Sequence, residues 1–391
     1  MRFDPVAALD HARAVARPRR VGTAANDAVI ADLADHLRSS GCAVEVEPFE
    51  FSAAGEQAIV IYVLIAQILI LVNFWAWGLS AWAAILPAAL LAALLAGSGQ
   101  IYRAAARASL WPRDPSQVSR LRHWWLKRGA RYRTANIVAR VPPRAGAAAR
   151  PPIYLVAHSD SKSQVLPLVA RMGLVAVASL AALVFSLLSV IRLWAPALTS
   201  PAAVAGLVAL LSGVPLLFLL LAGSGNASPG AIDNASGAGL VLHLAECLCA
   251  EPPARPVTVL ITGAEELGLL GSLAYVQRIG RQALRGATVL NFDGIGTDGR
   301  LAVVGGEGGP LAQAVRAACA ELHIALGRLP LVGAQFDHLP FADQGVDALS
   351  LVSLGRGALS VHTAKDDVSK LDVAGFRRAG EVALKVIEAW A

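Results

Sequence analysis

Apolar positions along this chain follow two different rules. Across residues 57–97 and 165–222 they run almost without interruption. The first stretch contains no Asp, Glu, Lys or Arg, and the second contains only Arg171 and Arg192. One membrane crossing takes roughly 20 apolar residues, so each stretch is long enough for a hairpin of two helical crossings. Elsewhere apolar residues come in short runs separated by helical patterns. Val29, Ile30, Leu33 and Leu37 recur at helical spacing and predict an amphipathic helix over residues 23–39. Runs at Ala43–Phe49, Asn136–Val141, Ile153–Ala157, Val257–Thr262, Thr288–Phe292, Leu301–Val304 and Ala348–Val352 predict strands. Helical patterns lie near 236–250, 267–280 and 309–323, and a last helix near 371–390 buries Leu371, Val373, Phe376, Val382, Val386 and Ile387. This alternation predicts an α/β fold, a mostly parallel mixed sheet with helices on both faces, interrupted by two transmembrane helical hairpins.

Residues 1–56, 98–164 and 223–391 are thus expected to form one domain together, with hairpins at 57–97 and 165–222. Without the hairpins 292 residues remain, enough for one sizeable core. Hydrophobic residues make up 55% of the chain, charged residues 16%, and mean hydropathy is +0.55, which excludes a disordered chain and an ordinary soluble protein.

Charge placement then sets an orientation. Residues 99–151 carry twelve Lys or Arg against the single acid Asp114, and residues 1–56 carry six Arg. The turns at 74–81 and 192–200 hold only Arg192. Basic residues collect on the cytoplasmic side, so four spans are expected, with the large domain in the cytoplasm of a bacterial-type inner or plasma membrane. Trp75, Trp77, Trp82 and Trp194 lie near the outer turns, where aromatic belts belong. The basic segment 99–133 interleaves Trp111, Trp124 and Trp125 with Arg and Lys, which suits an interfacial element resting on anionic headgroups or a solvated linker. Nucleic acid is not an expected partner despite the net charge of +6, because no binding motif surrounds these residues. The N-terminus lacks the apolar core of a cleaved secretory signal. Cys42, Cys247, Cys249 and Cys319 fit no zinc-knuckle spacing and read as reduced core thiols.

Five places combine an element boundary with metal-type ligands: His158-Ser159-Asp160, Asp233-Asn234-Ala235-Ser236-Gly237, Glu265-Glu266-Leu267-Gly268, Asp293-Gly294 and Val361-His362. In open α/β sheets, sites form beyond the carboxyl ends of the strands, and four of these groups follow a strand directly. Each has an ordinary reading when taken singly. Asp233-Asn234 can cap a helix, Glu265-Glu266 can favour a helix start, Asp293-Gly294 can be a turn, and His158 a satisfied polar residue. All five in this order is a pattern the ordinary readings do not explain.

That order, HxD, DNASG, EELG, D, H, resembles the M28 family of dizinc aminopeptidases. Arg20-Val21-Gly22-Thr23-Ala24-Ala25-Asn26 and Thr134-Ala135-Asn136-Ile137-Val138-Ala139 are similar to the family's opening segment and next strand. The resemblance implies that His158 and Asp293 hold one zinc, Glu266 and His362 the other, and Asp233 bridges them. It implies Glu265 as general base, Asp160 as the group orienting the His158 ring, and a metal-bridging water attacking a peptide carbonyl. Manganese and cobalt suit the same donors. Asp337-His338 and Asp366-Asp367 resemble positions near the site. His243 reads as core or surface, and His11, His36, His123 and His323 carry no usable signal.

The hairpins depart from the soluble relatives. The second falls between His158 and Asp233, with tethers of at most roughly 25–35 Å, which places the expected site close to the membrane surface. The expected activity is a membrane-embedded dizinc metallopeptidase, an aminopeptidase acting on peptides or protein N-termini presented at the bilayer. A glutaminyl-cyclase-like acyltransferase of the same fold, which works with one metal, is the alternative enzyme; a receptor or scaffold retaining the fold is the non-enzymatic one. A transporter fits poorly with spans so free of charge. Side-chain preference and oligomeric state have no signal.

Overall fold

The computed structural model describes residues 2–112, 118–148, 150–195, 202–220, 223–329 and 334–390. An eight-stranded sheet organises the chain. In spatial order its strands are β1 (Ala43–Ser52), β2 (Arg131–Val141), β6 (Val257–Thr262), β3 (Ile153–His158), β7 (Thr288–Phe292), β10 (Asp347–Leu354), β8 (Arg300–Gly305) and β9 (Leu326–Arg328). The central four, β6-β3-β7-β10, run parallel. β1, β2 and β8 add antiparallel neighbours on the flanks, and β9 pairs parallel at the far edge. β3, β6 and β7 are buried along their whole length, as expected of strands covered on both faces.

One face carries α1 (Pro5–Val15), α2 (Ala24–Ser39), α9 (Ser236–Ala250), α11 (Pro310–Glu321) and α13 (Val373–Ala389) over a core that includes Leu33, Leu155, Leu240, Phe292, Leu311 and Phe376. The other face carries α10 (Leu270–Ala283) and α12 (Leu339–Ala342), with Tyr154, Tyr275 and Phe341 in mutual ring contact. The strand and helix runs read from the sequence all form, with ends moved by a few residues. The predicted helix near 267–280 starts later, at Leu270, because Gly268 and Leu269 adopt left-handed backbone. α1, β9 and the two-residue ribbon of β4 (Ser163–Gln164) with β5 (Ser224–Gly225) had no counterpart in the sequence reading.

The apolar stretches form α3 (Ala54–Leu79), α4 (Ala81–Ala96), α7 (Leu168–Trp194) and α8 (Ala202–Leu219). α3 and α7 are long and apolar enough to cross a membrane; α4 joins α5 (Ser98–Ser109) through a 65° bend and counts as a third span only if the bent pair is taken together. The expected outer turn at 192–200 lies partly outside the described residues, as does 113–117 of the basic segment, whose remainder includes the short helix α6 (Arg120–Leu126).

The four apolar helices pack around Val63, Ala66, Ile70, Trp77, Leu91, Ala178, Ala182, Phe185, Ala205 and Leu216. Small residues at the contacts let the backbones approach. Two polar side chains inside bond to backbone carbonyls of neighbouring helices: Gln67 donates to the Gly213 carbonyl at 2.6 Å, and Ser186 to that of Ala88 at 3.1 Å. The outer surface is apolar, with Ile68, Leu71, Leu86, Leu180 and Leu207 more than half exposed. Trp75, Trp82 and Trp194 also face outward. Trp77 does not: it is 4% exposed, packs on Phe185 and lies beneath the Arg192 guanidinium. It belongs to the bundle interior because its turn of helix faces α7.

A residue at the bundle centre tests this packing. Ala182→Phe puts a ring where 1% of the residue is exposed, whereas Leu180→Phe changes a side chain at 63% exposure. Overpacking should cost the first variant about 1–3 kcal/mol. Thermal unfolding in detergent should show a lowered Tm for Ala182→Phe and little change for Leu180→Phe.

Candidate metal centre

His158, the Glu265-Glu266 pair and Asp293 are delivered by the ends of central strands and Asp233 by the loop that opens α9. His362 does not follow its strand directly: it comes after a 3-10 turn, Arg356–Ser360, beyond β10. His158 is the last residue of β3, in register with Thr262 at the end of β6. After β6 the chain turns through Gly263 and Ala264, the latter left-handed at φ 56°, into the 3-10 turn Glu265–Leu267. Gly263 is required there, since a Cβ would stand 2.7 Å from the Ala135 carbonyl oxygen. Asp293 follows β7 directly, and its N–H donates to Leu351 of β10 at 3.1 Å. His362 lies beyond β10 with φ 63°. A non-glycine residue in that region is uncommon and is held only by its surroundings.

The Asp233 segment shows why the DNASG sequence folds as it does. Gly230, at φ 57°, lies so close to the chain that a Cβ would stand 2.5 Å from the Asp233 carbonyl oxygen. Asp366 accepts from the Ile232 and Asp233 N–H groups at 2.7 and 3.3 Å. The Asp233–Asn234 peptide is cis. Asn234 accepts from the Gly237 N–H at 2.9 Å at the start of α9 and donates to the Phe292 carbonyl at 2.8 Å. One amide therefore fixes both the helix start and the strand end that precedes Asp293. Gly237 must lack a side chain, because a Cβ would meet Asn234 Oδ1 and the Phe292 carbonyl oxygen at 2.4 Å.

The five segments converge. His158 Nε2 is 3.0 Å from Asp233 Oδ1 and 3.8 Å from both Asp293 Oδ1 and Glu265 Oε2. His362 Nε2 is 3.0 Å from Asp233 Oδ2 and 3.0 Å from Glu266 Oε2. Two groups of donor atoms result, His158-Asp233-Asp293 and Asp233-Glu266-His362, each with its atoms within 4.8 Å of one another. Asp233 belongs to both, one oxygen to each. The close approaches are not aligned as hydrogen bonds: His158 Nε2, His362 Nε2 and Glu266 Oε1 are buried without a hydrogen-bond partner. Donor atoms gathered this closely without hydrogen bonds between them fit a cation, and imidazole with carboxylate is a zinc donor set.

Electrostatics agree. Asp160, Glu265, Glu266, Asp293, Asp337 and Asp366 are all buried, and Asp233 is nearly so. Burial alone would strip the charge from the histidines, yet Glu265, Asp160, Asp233 and Asp293 together push His158 well above its usual range. Burial likewise works against His362, but Glu266 and Asp233 push it up to about 9. Burial would raise Asp233, and the two imidazoles instead hold it well below the carboxylate range. Glu265 goes the other way: burial first, then Glu266, Asp293 and Asp337, raise it well above an ordinary glutamate. Burial also lifts Asp293 to about 6. Adjacent glutamates are thereby separated, since His362 and Lys162 lower Glu266 against the effect of burial.

Asp160 does something its sequence position did not suggest. Its Oδ1 lies 3.6 Å from His158 Nδ1, which is nearer the Asp160 carbonyl oxygen at 3.2 Å. Its two carboxylate oxygens also accept from the Glu265 and Glu266 N–H groups at 3.1 and 3.2 Å, holding the turn that presents both glutamates. Asp337 accepts from Thr262 and His338 meets Ser350 Oγ at 2.7 Å, whereas Asp367 caps a short turn at the surface. Two residues of the site had no sequence signal. Arg19, 0% exposed, donates to the carbonyls of Ser159 at 2.7 Å, Pro229 at 2.5 Å and Gly230 at 3.0 Å, tying the His158 loop to the Asp233 loop. Lys162 donates to the Glu266 carbonyl at 2.6 Å and lies 3.0 Å from its carboxylate. In a chain this basic, neither stands out until the fold buries it.

Replacing Asn234 by Ala removes both of its hydrogen bonds from a fully buried position. Each should cost about 1–3 kcal/mol through the partner left unsatisfied. The variant should unfold at lower temperature and retain less zinc after dialysis, by metal analysis, than the unaltered chain.

Residues 216–387 match the family model of peptidase family M28. Aminopeptidase YwaD of Bacillus subtilis (strain 168) is 30% identical over 167 residues, 40% of this chain and 36% of that relative. The chain thus matches about a third of the length of that curated relative. Among solved structures, BSAP, a zinc aminopeptidase from Bacillus subtilis, superposes with a TM-score of 0.56 at 16% identity, covering 100% of this chain and 96% of its own. The Acidobacteriales bacterium glutaminyl cyclase superposes with a TM-score of 0.57 at 15% identity, covering 100% and 95%. Residues 216–387 thus match peptidase family M28, in agreement with the ordered run of motifs and the site they build.

Proposed function

We propose that this chain is a membrane-embedded zinc metallopeptidase, an aminopeptidase with two zinc ions that acts on peptides or protein N-termini presented at the bilayer. The observation that carries the reading is the division of Asp233 between two groups of buried donors, His158 with Asp293 and His362 with Glu266. Zinc held there supplies a Lewis acid for the scissile carbonyl and lowers the pKa of an attacking water.

The chain's own residues supply the rest. Glu265 has a carboxylate beside the cluster and a proton affinity raised by burial and its acidic neighbours, so it suits the general base. It takes a proton from the attacking water and returns it to the leaving amine nitrogen as the C–N bond breaks. Asp160 keeps Glu265 and Glu266 in place through their backbone N–H groups, and Lys162 orients the Glu266 carboxylate. Asp366 fixes the backbone that presents Asp233.

The membrane assignment rests on the bundle's apolar exterior and on where it joins the domain. α7 and α8 leave through the β4–β5 ribbon, whose Gln164 N–H donates to the His362 carbonyl at 2.8 Å. The second hairpin is thus anchored to the backbone of a proposed ligand. Four embedded helices with the domain on the cytoplasmic side are part of this proposal: α3 and α7 have the length of a span, and the placement of Lys and Arg supports the orientation. The fold is shared with glutaminyl cyclases, so an acyl-transfer reading is tested alongside.

Glu265→Gln should keep its zinc and lose turnover by about 10²–10⁴-fold on aminoacyl anilides, as loss of a proton-transfer group does. Metal analysis of the purified protein should give two ions at this centre, and His158→Ala and His362→Ala should each lower it. Cyclisation of N-terminal glutaminyl peptides, without hydrolysis of the anilides and with a single ion, would replace the peptidase reading by the acyl-transfer one.

A further inference from the structure

Away from the strand ends, three histidines from three helices meet one carboxylate. His11 comes from α1, His36 from α2, and His243 and Glu246 from α9. His11 Nε2 lies 3.0 Å and His36 Nε2 2.7 Å from the same oxygen, Glu246 Oε1. The two rings stand edge to face at 4.5 Å between centroids. His243 Nδ1 lies 2.6 Å from the other oxygen, Glu246 Oε2. Glu246 is ten residues into α9 from Ser236, about 15 Å along the helix at its usual rise, so this cluster is separate from the Asp233 centre.

Chemistry divides the roles. His243 Nε2 accepts the Asp4 N–H at 3.0 Å, so its lone pair is used and its Nδ1 carries the proton donated to Glu246. It is a positioning residue that turns the carboxylate toward the other two rings, as hydrogen-bonded neighbours of metal ligands do. His11 and His36 both direct Nε2 at one carboxylate oxygen. His11, His243 and Glu246 offer donor atoms within 4.8 Å of one another, and His36 Nε2 reaches the same Glu246 oxygen from α2. Imidazole nitrogens with a carboxylate oxygen form a borderline-hard donor set suited to zinc, nickel or copper. Side-chain exposures of 21% for His11, 32% for His36 and 29% for Glu246 leave an entry path and room for water as a fourth donor.

We propose that His11, His36 and Glu246, with His243 positioning Glu246, form a separate binding site for a divalent transition metal. The bound ion fastens α1 and α2 to α9, the helix whose first turn presents the Asp233 segment. The inference is independent of the proposed peptidase activity.

The test uses the full chain in detergent, with zinc as the probe. After equilibration in buffered zinc, the double variant His11→Asn/His36→Asn should hold one zinc fewer per chain than the unaltered protein. As a difference between two proteins, this result does not depend on how many ions sit at Asp233. Equal zinc in the two proteins would overturn the site. A second measurement needs no variant. Carbethoxylation of histidines in the unaltered protein, read by peptide mass spectrometry, should slow at His11 and His36 by about tenfold or more when zinc is in excess. The exposed His123 is the internal reference and should not change. Equal rates at His11 and His36 with and without zinc would mean a hydrogen-bonded cluster only.

Discussion

One carboxylate organises this molecule. Asp233 places an oxygen 3.0 Å from His158 Nε2 on one side and another 3.0 Å from His362 Nε2 on the other. That requires the Asp233 backbone to be fixed relative to two strand ends that are far apart in sequence. Asp366 fixes it from the C-terminal side, Arg19 and Gly230 from the N-terminal side, and Asn234 ties it to β7. Each of these residues is buried and acts on backbone groups, so the side chains proposed to hold metal inherit a position set by the main chain. The left-handed backbone of His362 and Ala264 belongs to the same scheme, since both turns carry a residue of the cluster inward.

The two apolar hairpins enter and leave without disturbing that arrangement, because the chain closes the domain at each junction. At the second hairpin, β4 and β5 pair Ser163 with Gly225 and Gln164 with Ser224, and Ser161 donates to the Ser228 carbonyl at 3.2 Å. At the first, the Ala53 N–H donates to Ala130 at 2.8 Å, and the Trp111 N–H to Glu50 at 2.8 Å, so the chain returns beside the strand it left. Insertions whose ends are pinned together cost the host domain little beyond loop closure, which grows slowly with length. The junction at β4–β5 also touches the His362 backbone, so the bundle and the proposed site share a structural element.

Much of the fold was legible because its strands are buried on both faces. Continuous runs such as Val257–Thr262 and Thr288–Phe292 admit few other readings, and the observed strands coincide with them. α1 was not legible. Its buried positions are Ala8, Leu9, Ala12 and Val15, three of them small or short, and its clearest mark is a cap, Asp4 before Pro5, rather than a periodicity. β9 is three residues at an edge and too short to show a pattern. The site residues were visible because they sit at element ends in a fixed order, where a run of letters marks a turn. Arg19, Lys162 and the His11-His36-Glu246 cluster were not, because their partners lie far along the chain and their letters carry no local signature. The outward place given to Trp77 erred for a related reason: proximity to a turn says nothing about which way a helix faces.

The balance of buried charge explains why the cluster needs cations at all. Asp160, Asp233, Glu265, Glu266, Asp293, Asp337 and Asp366 crowd a small volume from which water is largely removed. Arg19 stays charged although burial lowers it to about 10, and the carboxylate of Glu266 keeps Lys162 charged despite burial. Both cations are spent on backbone carbonyls and on one carboxylate, so they neutralise only part of the set. The remainder must be met by protons or by metal. Protonating the histidines meets part of it, and raising Glu265 and Asp293 meets more, which is how the shifts run. Divalent ions would satisfy the same charge while leaving Glu265 ionised and able to accept a proton. In the proposed mechanism, metal binding and the readiness of Glu265 as general base would therefore be set by a single electrostatic balance.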